Sequence, residues 1–172
     1  MQLEYRLNLK DYQEANQTHF QKMQRLSYIF CWAVSVVFSV IGLLIVVDSI
    51  LLKTGIGLNI INGCLFLALG IFLNPALNLL QRYMIYKNWK SNPSIREPVN
   101  LEVSEEGINS QGATFQSAIK WQIFTKFLES KNLFILYQSN NLFNMIPKRA
   151  FSSDEQIEQF RDLLRTMIVK SR

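Results

Sequence analysis

The sequence predicts an α+β membrane protein: a two-helix transmembrane hairpin joined to a cytosolic antiparallel β-meander that ends in one amphipathic helix. Two uncharged apolar stretches, Leu26 to Val47 and Thr54 to Gln81, stand back to back with only Asp48 to Lys53 between them. After residue 98 the chain changes to short apolar runs separated by turn residues, and after residue 151 it changes again to a helical period. A helix rising about 1.5 Å per residue needs roughly 20 apolar residues to cross a hydrocarbon core about 30 Å thick, and each stretch suffices.

Averages conceal this plan. Over 172 residues the chain is 49% hydrophobic with a mean hydropathy of +0.08. Yet only Asp48 and Lys53 carry charge between Leu26 and Gln81, and the other 29 of 31 charged side chains lie outside that interval. The apolar residues are segregated, not diluted. A secretory signal has an apolar run of about 7 to 15 residues ending at a small-residue cleavage site. The first run here is 22 residues long and follows 25 mostly polar ones.

Residues 1–25 predict a strand and a helix that leads into the membrane. Leu3, Tyr5, Leu7 and Leu9 alternate with Glu4, Arg6, Asn8 and Lys10, the period of a half-buried strand. Such a strand needs a sheet to join, and the second half of the chain supplies one. Tyr12, Ala15, His19, Met23 and Leu26 then recur at helical spacing within a helix expected over Asp11 to Arg25. His19, the sole histidine, reads as a surface or helix-flank residue.

Residues 26–81 predict the hairpin, with helices over about 26–52 and 57–80 and a short turn through Gly55-Ile56-Gly57. Asn59, Gly63, Leu67, Gly70, Asn74 and Asn78 share one face of the second helix; Ser35, Ser39, Gly42 and Ser49 share one face of the first. Small residues allow close backbone approach and amides need partners inside lipid, so these faces are expected to pack antiparallel. Pro75 lacks a backbone donor, so the second helix should kink near Asn74 or change character there. Cys31 and Cys64 fall in different helices, without metal-ligand companions, and are not expected to pair.

Basic residues orient the hairpin. Lys22 and Arg25 precede it and Arg82, Lys87, Lys90 and Arg96 follow it, whereas the intervening turn holds only Lys53. Both termini are therefore expected to be cytoplasmic. The connector 82–97 nets +3 of the overall +5 charge. That cluster fixes topology and can also contact anionic lipid head groups.

Residues 98–172 predict the cytosolic domain. Strands are expected at Val99 to Ser104, Ile108 to Gln111, Thr114 to Lys120, Phe124 to Glu129, Leu133 to Gln138 and Leu142 to Pro147. Glu105-Glu106-Gly107, Gln111-Gly112, Ser130-Lys131-Asn132 and Ser139-Asn140-Asn141 are the turns. A capping box follows, either Ser152 with Glu155 or Ser153 with Gln156. Ile157, Phe160, Leu164, Met167 and Ile168 then occupy one helical face, opposite Glu158, Arg161, Asp162 and Arg165.

Several of these segments permit a sharper comparison. Ile119-Lys120-Trp121-Gln122-Ile123, Lys126-Phe127-Leu128-Glu129, Leu133-Phe134-Ile135-Leu136-Tyr137 and Ile146-Pro147-Lys148-Arg149-Ala150-Phe151 resemble the YcxB-like family. Glu106-Gly107-Ile108 looks like that family's turn, and Tyr5 to Tyr12 resembles its N-terminal strand and helix start. The resemblance implies a bacterial membrane protein with a pleckstrin-homology-like (PH-like) domain, a partly closed barrel capped by the terminal helix. It implies no reaction. Trp121 and Pro147 would be packing and turn residues of that domain.

The chain has no nucleophile elbow, phosphate-binding glycine loop, zinc pair or cysteine cluster, so neither enzyme chemistry nor a cofactor is expected. Its basic residues lack the density of a nucleic-acid binder. The expected partners are the lipid bilayer with its anionic head groups and an unidentified membrane or cytosolic protein. Lys120, Lys126, Lys148 and Arg149 are the candidate contacts for lipid or partner in an interaction or regulatory module. The alternative is a small immunity-like or transport-accessory protein that acts through its hairpin.

Overall fold

The computed structural model describes residues 1–23, 25–52 and 56–169. They form β1 (Gln2–Arg6), α1 (Leu9–Met23), α2 (Arg25–Leu52), α3 (Ile56–Ser91), β2 (Pro98–Val103), β3 (Gly107–Gln111), β4 (Gln116–Lys120), β5 (Lys126–Glu129), β6 (Leu133–Tyr137), β7 (Phe143–Pro147) and α4 (Asp154–Val169). One compact unit comprises Met1–His19 and Ile85–Arg172, the other Phe20–Met84. Lys53, Thr54 and Gly55, expected in the hairpin turn, lie outside the described residues.

The N-terminal strand does rejoin the second half of the chain. β1 pairs antiparallel with β2, Leu3 opposite Leu101 and Tyr5 opposite Val99, although residues 7–97 lie between the two strands. Met1 seals the pair, its amino group donating to the Val103 carbonyl at 2.8 Å and its carbonyl accepting from Val103 N at 2.7 Å. The hairpin is thus an insertion between neighbouring strands of one sheet.

Seven strands form two antiparallel sheets, ordered β1-β2-β3-β4 and β5-β6-β7. The expected partly closed barrel is not formed, because among the described residues no ladder joins the sheets at either seam. Between β4 and β5 a 3-10 turn, Trp121–Ile123, takes the chain out of the sheet, which is why β5 starts at Lys126 and not at Phe124. Between β1 and β7 side chains bridge instead: the Tyr5 hydroxyl donates to the Met145 carbonyl at 3.1 Å. β4 also starts late, because Gly112 N bonds the Phe115 carbonyl at 2.9 Å and closes a turn over the residues expected to extend the strand.

The main core lies between the sheets and α4, where Leu101, Ile108, Phe124, Phe134, Phe160 and Leu164 pack together. Trp121 is buried there and donates from Nε1 to the Ser104 carbonyl at 3.0 Å. Of the two capping registers, Ser153 prevails: Gln156 N donates to its hydroxyl at 3.3 Å, and the Gln156 side chain accepts from Ser152 N at 2.8 Å. α1 begins two residues earlier than expected because Asn8 and Asp11 cap it reciprocally, with bonds of 2.8 and 2.9 Å.

In the unit Phe20–Met84, the buried residues among those described are Ser35, Gly42, Ser49, Gly63 and Gly70. All are small, and within each helix they recur every seven residues. They let the backbones meet: a Cβ added at Gly42 would stand 2.7 Å from the Gly63 carbonyl oxygen. Asn74 donates across the interface to the Ser35 hydroxyl at 3.0 Å, and Phe38 stacks on Phe66 at 5.7 Å. Asn78, expected on the same face, is exposed. α3 runs on through Pro75 and through most of the basic connector to Ser91.

Candidate functional site

β6 contributes five consecutive residues, Leu133 to Tyr137, and all five are buried. Strand side chains alternate between faces, so a strand buried throughout needs cover on both. α4 covers the face of Phe134 and Leu136, with the Phe134 and Phe160 rings 5.2 Å apart. α1 covers the other.

Asp11, Glu14, Ala15 and His19 lie along one face of α1, the spacing of a helical stripe. Ala15 is fully buried and permits close approach. Arg149 donates from Nη1 and Nη2 to the two Asp11 carboxylate oxygens, both at 2.6 Å, and from Nη2 to the Arg6 carbonyl at 2.9 Å. Glu14 receives the Ser130 hydroxyl at 2.7 Å and the Asn132 backbone and side-chain N–H groups at 2.9 and 2.8 Å. His19 Nδ1 shares a hydrogen bond of 3.1 Å with the Tyr137 hydroxyl, and its ring lies 5.5 Å from Phe143. The histidine read as a surface or helix-flank residue is therefore buried.

On the α4 face Glu129 gathers two cations. Arg161 donates to it from Nε at 2.8 Å and Nη2 at 2.6 Å, and Lys148 from Nζ at 2.6 Å. Lys148 also stands 5.3 Å over the Phe134 ring. Arg161, expected on the solvent face, instead turns inward between Glu129 and Glu158.

The basic residues singled out in the sequence divide accordingly. Lys148 and Arg149 are held by Glu129 and Asp11. Lys126 is half-buried, its ammonium 5.2 Å over the Tyr137 ring. Lys120 is exposed at the end of β4, opposite Gly107 and beside the Glu105-Glu106 turn. Arg82, Lys87 and Lys90 are exposed on α3, whereas Arg96 is half-buried and its carbonyl accepts from Arg6 Nε at 2.7 Å. A groove of about 790 Å³ crosses β1 to β4 and is lined chiefly by amides and carboxylates, among them Gln2, Glu4, Asn100, Glu102 and Gln116.

Residues 103–164, from the end of β2 to Leu164 in α4, match the family model of the YcxB-like proteins. Over this segment the chain is similar to the YcxB-like proteins. It is 23% identical over 103 residues to the Uncharacterized protein YcxB of Bacillus subtilis (strain 168), an alignment covering 60% of this chain and 56% of that protein. The chain thus spans just over half the length of the curated relative it matches. No solved structure matches.

The matched segment holds the three-stranded sheet and most of α4, while β1 and α1, which complete the fold, lie outside it. Asp11, Glu14, Glu129 and Tyr137 were not singled out in the sequence. Only the Asn8-x-x-Asp11 cap left a local signal, because the decisive partners are far apart in the chain.

These contacts shift protonation. Hydrogen bonds from Arg161, against opposing burial and with help from Lys148, hold the Glu129 carboxyl down at about 2. Burial, with the charge of Lys126, holds the His19 imidazole below its ordinary value. Burial pushes the Tyr137 phenol up to about 12. Burial alone would raise Glu14, but the Asn132 and Ser130 bonds outweigh it and lower its pKa.

A depressed pKa in the folded state contributes stability above the unfolded value and loses it as pH falls through the folded one. His19 therefore weakens the fold as pH drops below its ordinary pKa, and Glu129 does so from about 4.5 toward about 2. Glu129→Gln should lower unfolding free energy by about 2 kcal/mol at pH 7, and the deficit should shrink toward pH 2. Denaturant titrations of the full chain in detergent at pH 7, 5 and 3 would show it, and a pH-independent deficit would contradict the pairing.

Proposed function

We propose that this chain is a membrane-anchored, non-enzymatic interaction or regulatory module that presents a PH-like domain at the cytosolic face of a bacterial inner membrane. The observation that carries the reading is the β1–β2 pair, between whose strands the chain runs through two helices long and apolar enough to span a bilayer. In each, 11% of the most apolar 18-residue window is buried. A core helix of a water-soluble protein would be mostly buried, so this exposure favours lipid as the solvent of α2 and α3.

Two antiparallel sheets with a terminal helix packed over their core support the PH-like reading. The carboxylates of Asp11, Glu14 and Glu129 serve internal bonds, which supports a binding role over acid–base chemistry. The excess of Arg82, Lys87 and Lys90 after the hairpin supports cytoplasmic termini.

Topology provides the test. A membrane-impermeant maleimide applied to intact cells should label Thr54→Cys, and should label Lys131→Cys only after lysis. Labelling of Lys131→Cys in intact cells would overturn the cytosolic placement, and release of the chain from membranes by alkaline carbonate would overturn the anchor.

A further inference from the structure

We propose that one end of the three-stranded sheet is a lipid-docking rim, at which Ile123 and Leu142 enter the headgroup–acyl boundary of an anionic bilayer and Lys126 meets the headgroups. In the unit Met1–His19 with Ile85–Arg172, Ile123 at 52% and Leu142 at 56% exposure are the large apolar side chains left exposed outside α3 among the described residues. They share an end. Lys126 lies opposite Tyr137, Tyr137 lies opposite Phe143, and Gln138 N bonds the Leu142 carbonyl at 2.9 Å. Ile123 closes the 3-10 turn that feeds β5 at that same end.

The charge suits an anionic surface. Among the described residues the Lys126 ammonium has an aromatic ring but no carboxylate for a partner, and the neighbouring loop, Gln138 to Asn141, is uncharged. Lys120 stays outside the rim because Glu106, whose carbonyl accepts from Trp121 N at 3.3 Å, adjoins it.

Chain connectivity selects the occupant. His19, the last residue of this unit before the chain leaves for α2, packs on Tyr137 and Phe143 at this very end. A rim beside that exit point is confined near the bilayer its own chain crosses, so weak intrinsic affinity is enough. Two apolar side chains and one lysine are too little surface for a stable protein interface of roughly 800 Å² per partner. Interfacial binding grows with buried apolar area and with attraction of basic residues to anionic lipid, and the chain's own anchor lowers the affinity required.

The inference rests on the membrane-anchored reading, and the test separates the two. A nitrobenzoxadiazole label at Leu142→Cys, Ile123→Cys, Lys131→Cys or Leu69→Cys, each with Cys31 and Cys64 replaced by serine, is read in proteoliposomes of phosphatidylcholine and phosphatidylglycerol containing doxyl-lipid quencher. Lys131 is exposed at the opposite end of the same sheet, and Leu69 is exposed midway along α3. Quenching at positions 123 and 142 should exceed that at 131 several-fold, and should fall when phosphatidylglycerol is omitted or Lys126→Gln is added. Quenching at 123 and 142 no greater than at 131, with position 69 quenched, overturns the rim and leaves the anchor standing. An unquenched label at 69 overturns the anchor and the rim with it. Quenching indifferent to phosphatidylglycerol and to Lys126→Gln overturns the anionic headgroup assignment.

Discussion

Arg149→Met should destabilise the unit formed by Met1–His19 and Ile85–Arg172 by about 3 kcal/mol and release α1 from the sheet. The methionine keeps much of the side-chain stem and removes the guanidinium. Asp11, 6% exposed at its side chain, then loses both of its Arg149 bonds. A buried carboxylate stripped of its partner typically costs about 3 to 5 kcal/mol, and the lower end applies because Arg149 is 47% exposed. Asp11→Asn should recover part of the loss in the double variant, since neighbouring partners couple non-additively. Hydrogen exchange of the full chain in detergent reads both effects. Unchanged protection across Leu9 to His19 in Arg149→Met would show that the clamp does not hold α1.

Gly70→Ile should disrupt the hairpin at a comparable cost, about 3 kcal/mol, by overpacking. A Cβ at position 70 would stand 2.6 Å from the Ser35 carbonyl oxygen and 2.7 Å from Ser39 N. Those are backbone atoms of α2 and cannot rotate away, so the helices must separate. Separation also strains the Asn74–Ser35 bond at 3.0 Å. Gly57→Ala is the control, because a Cβ there meets nothing within 4 Å. An SDS titration of the purified chain should show Gly70→Ile unfolding early and Gly57→Ala unchanged. Equal midpoints would refute the packing.

Both predictions concern contacts that the sequence disclosed unequally. Gly70, Gly63, Gly42 and Ser35 were legible, because small residues at helical spacing on two adjacent apolar helices constrain how those helices can meet. The six strands of the second half and α4 were legible within a few residues, since alternation and turn chemistry act over short spans. Phe124 and Thr125 misled the start of β5: they read as strand, yet they follow the 3-10 turn Trp121–Ile123, whose indole turns into the core toward Ser104. Arg161 misled the helix face, because Glu129 lies 32 positions earlier and nothing local announces it.

By itself the sequence determined that this chain carries two helices of membrane-crossing length, an N-terminal strand, a series of short strands and a capped terminal helix. Each of those features depends on hydrophobic period and on side chains within a turn or two of one another. Tertiary structure alone decided that β1 enters the same sheet as β2, that α1 covers the second face of β6, and that the sheets stay unjoined. Those outcomes rest on pairs such as Leu3 with Leu101, Asp11 with Arg149 and His19 with Tyr137. Such partners become neighbours only when the chain closes on itself across the two long apolar helices.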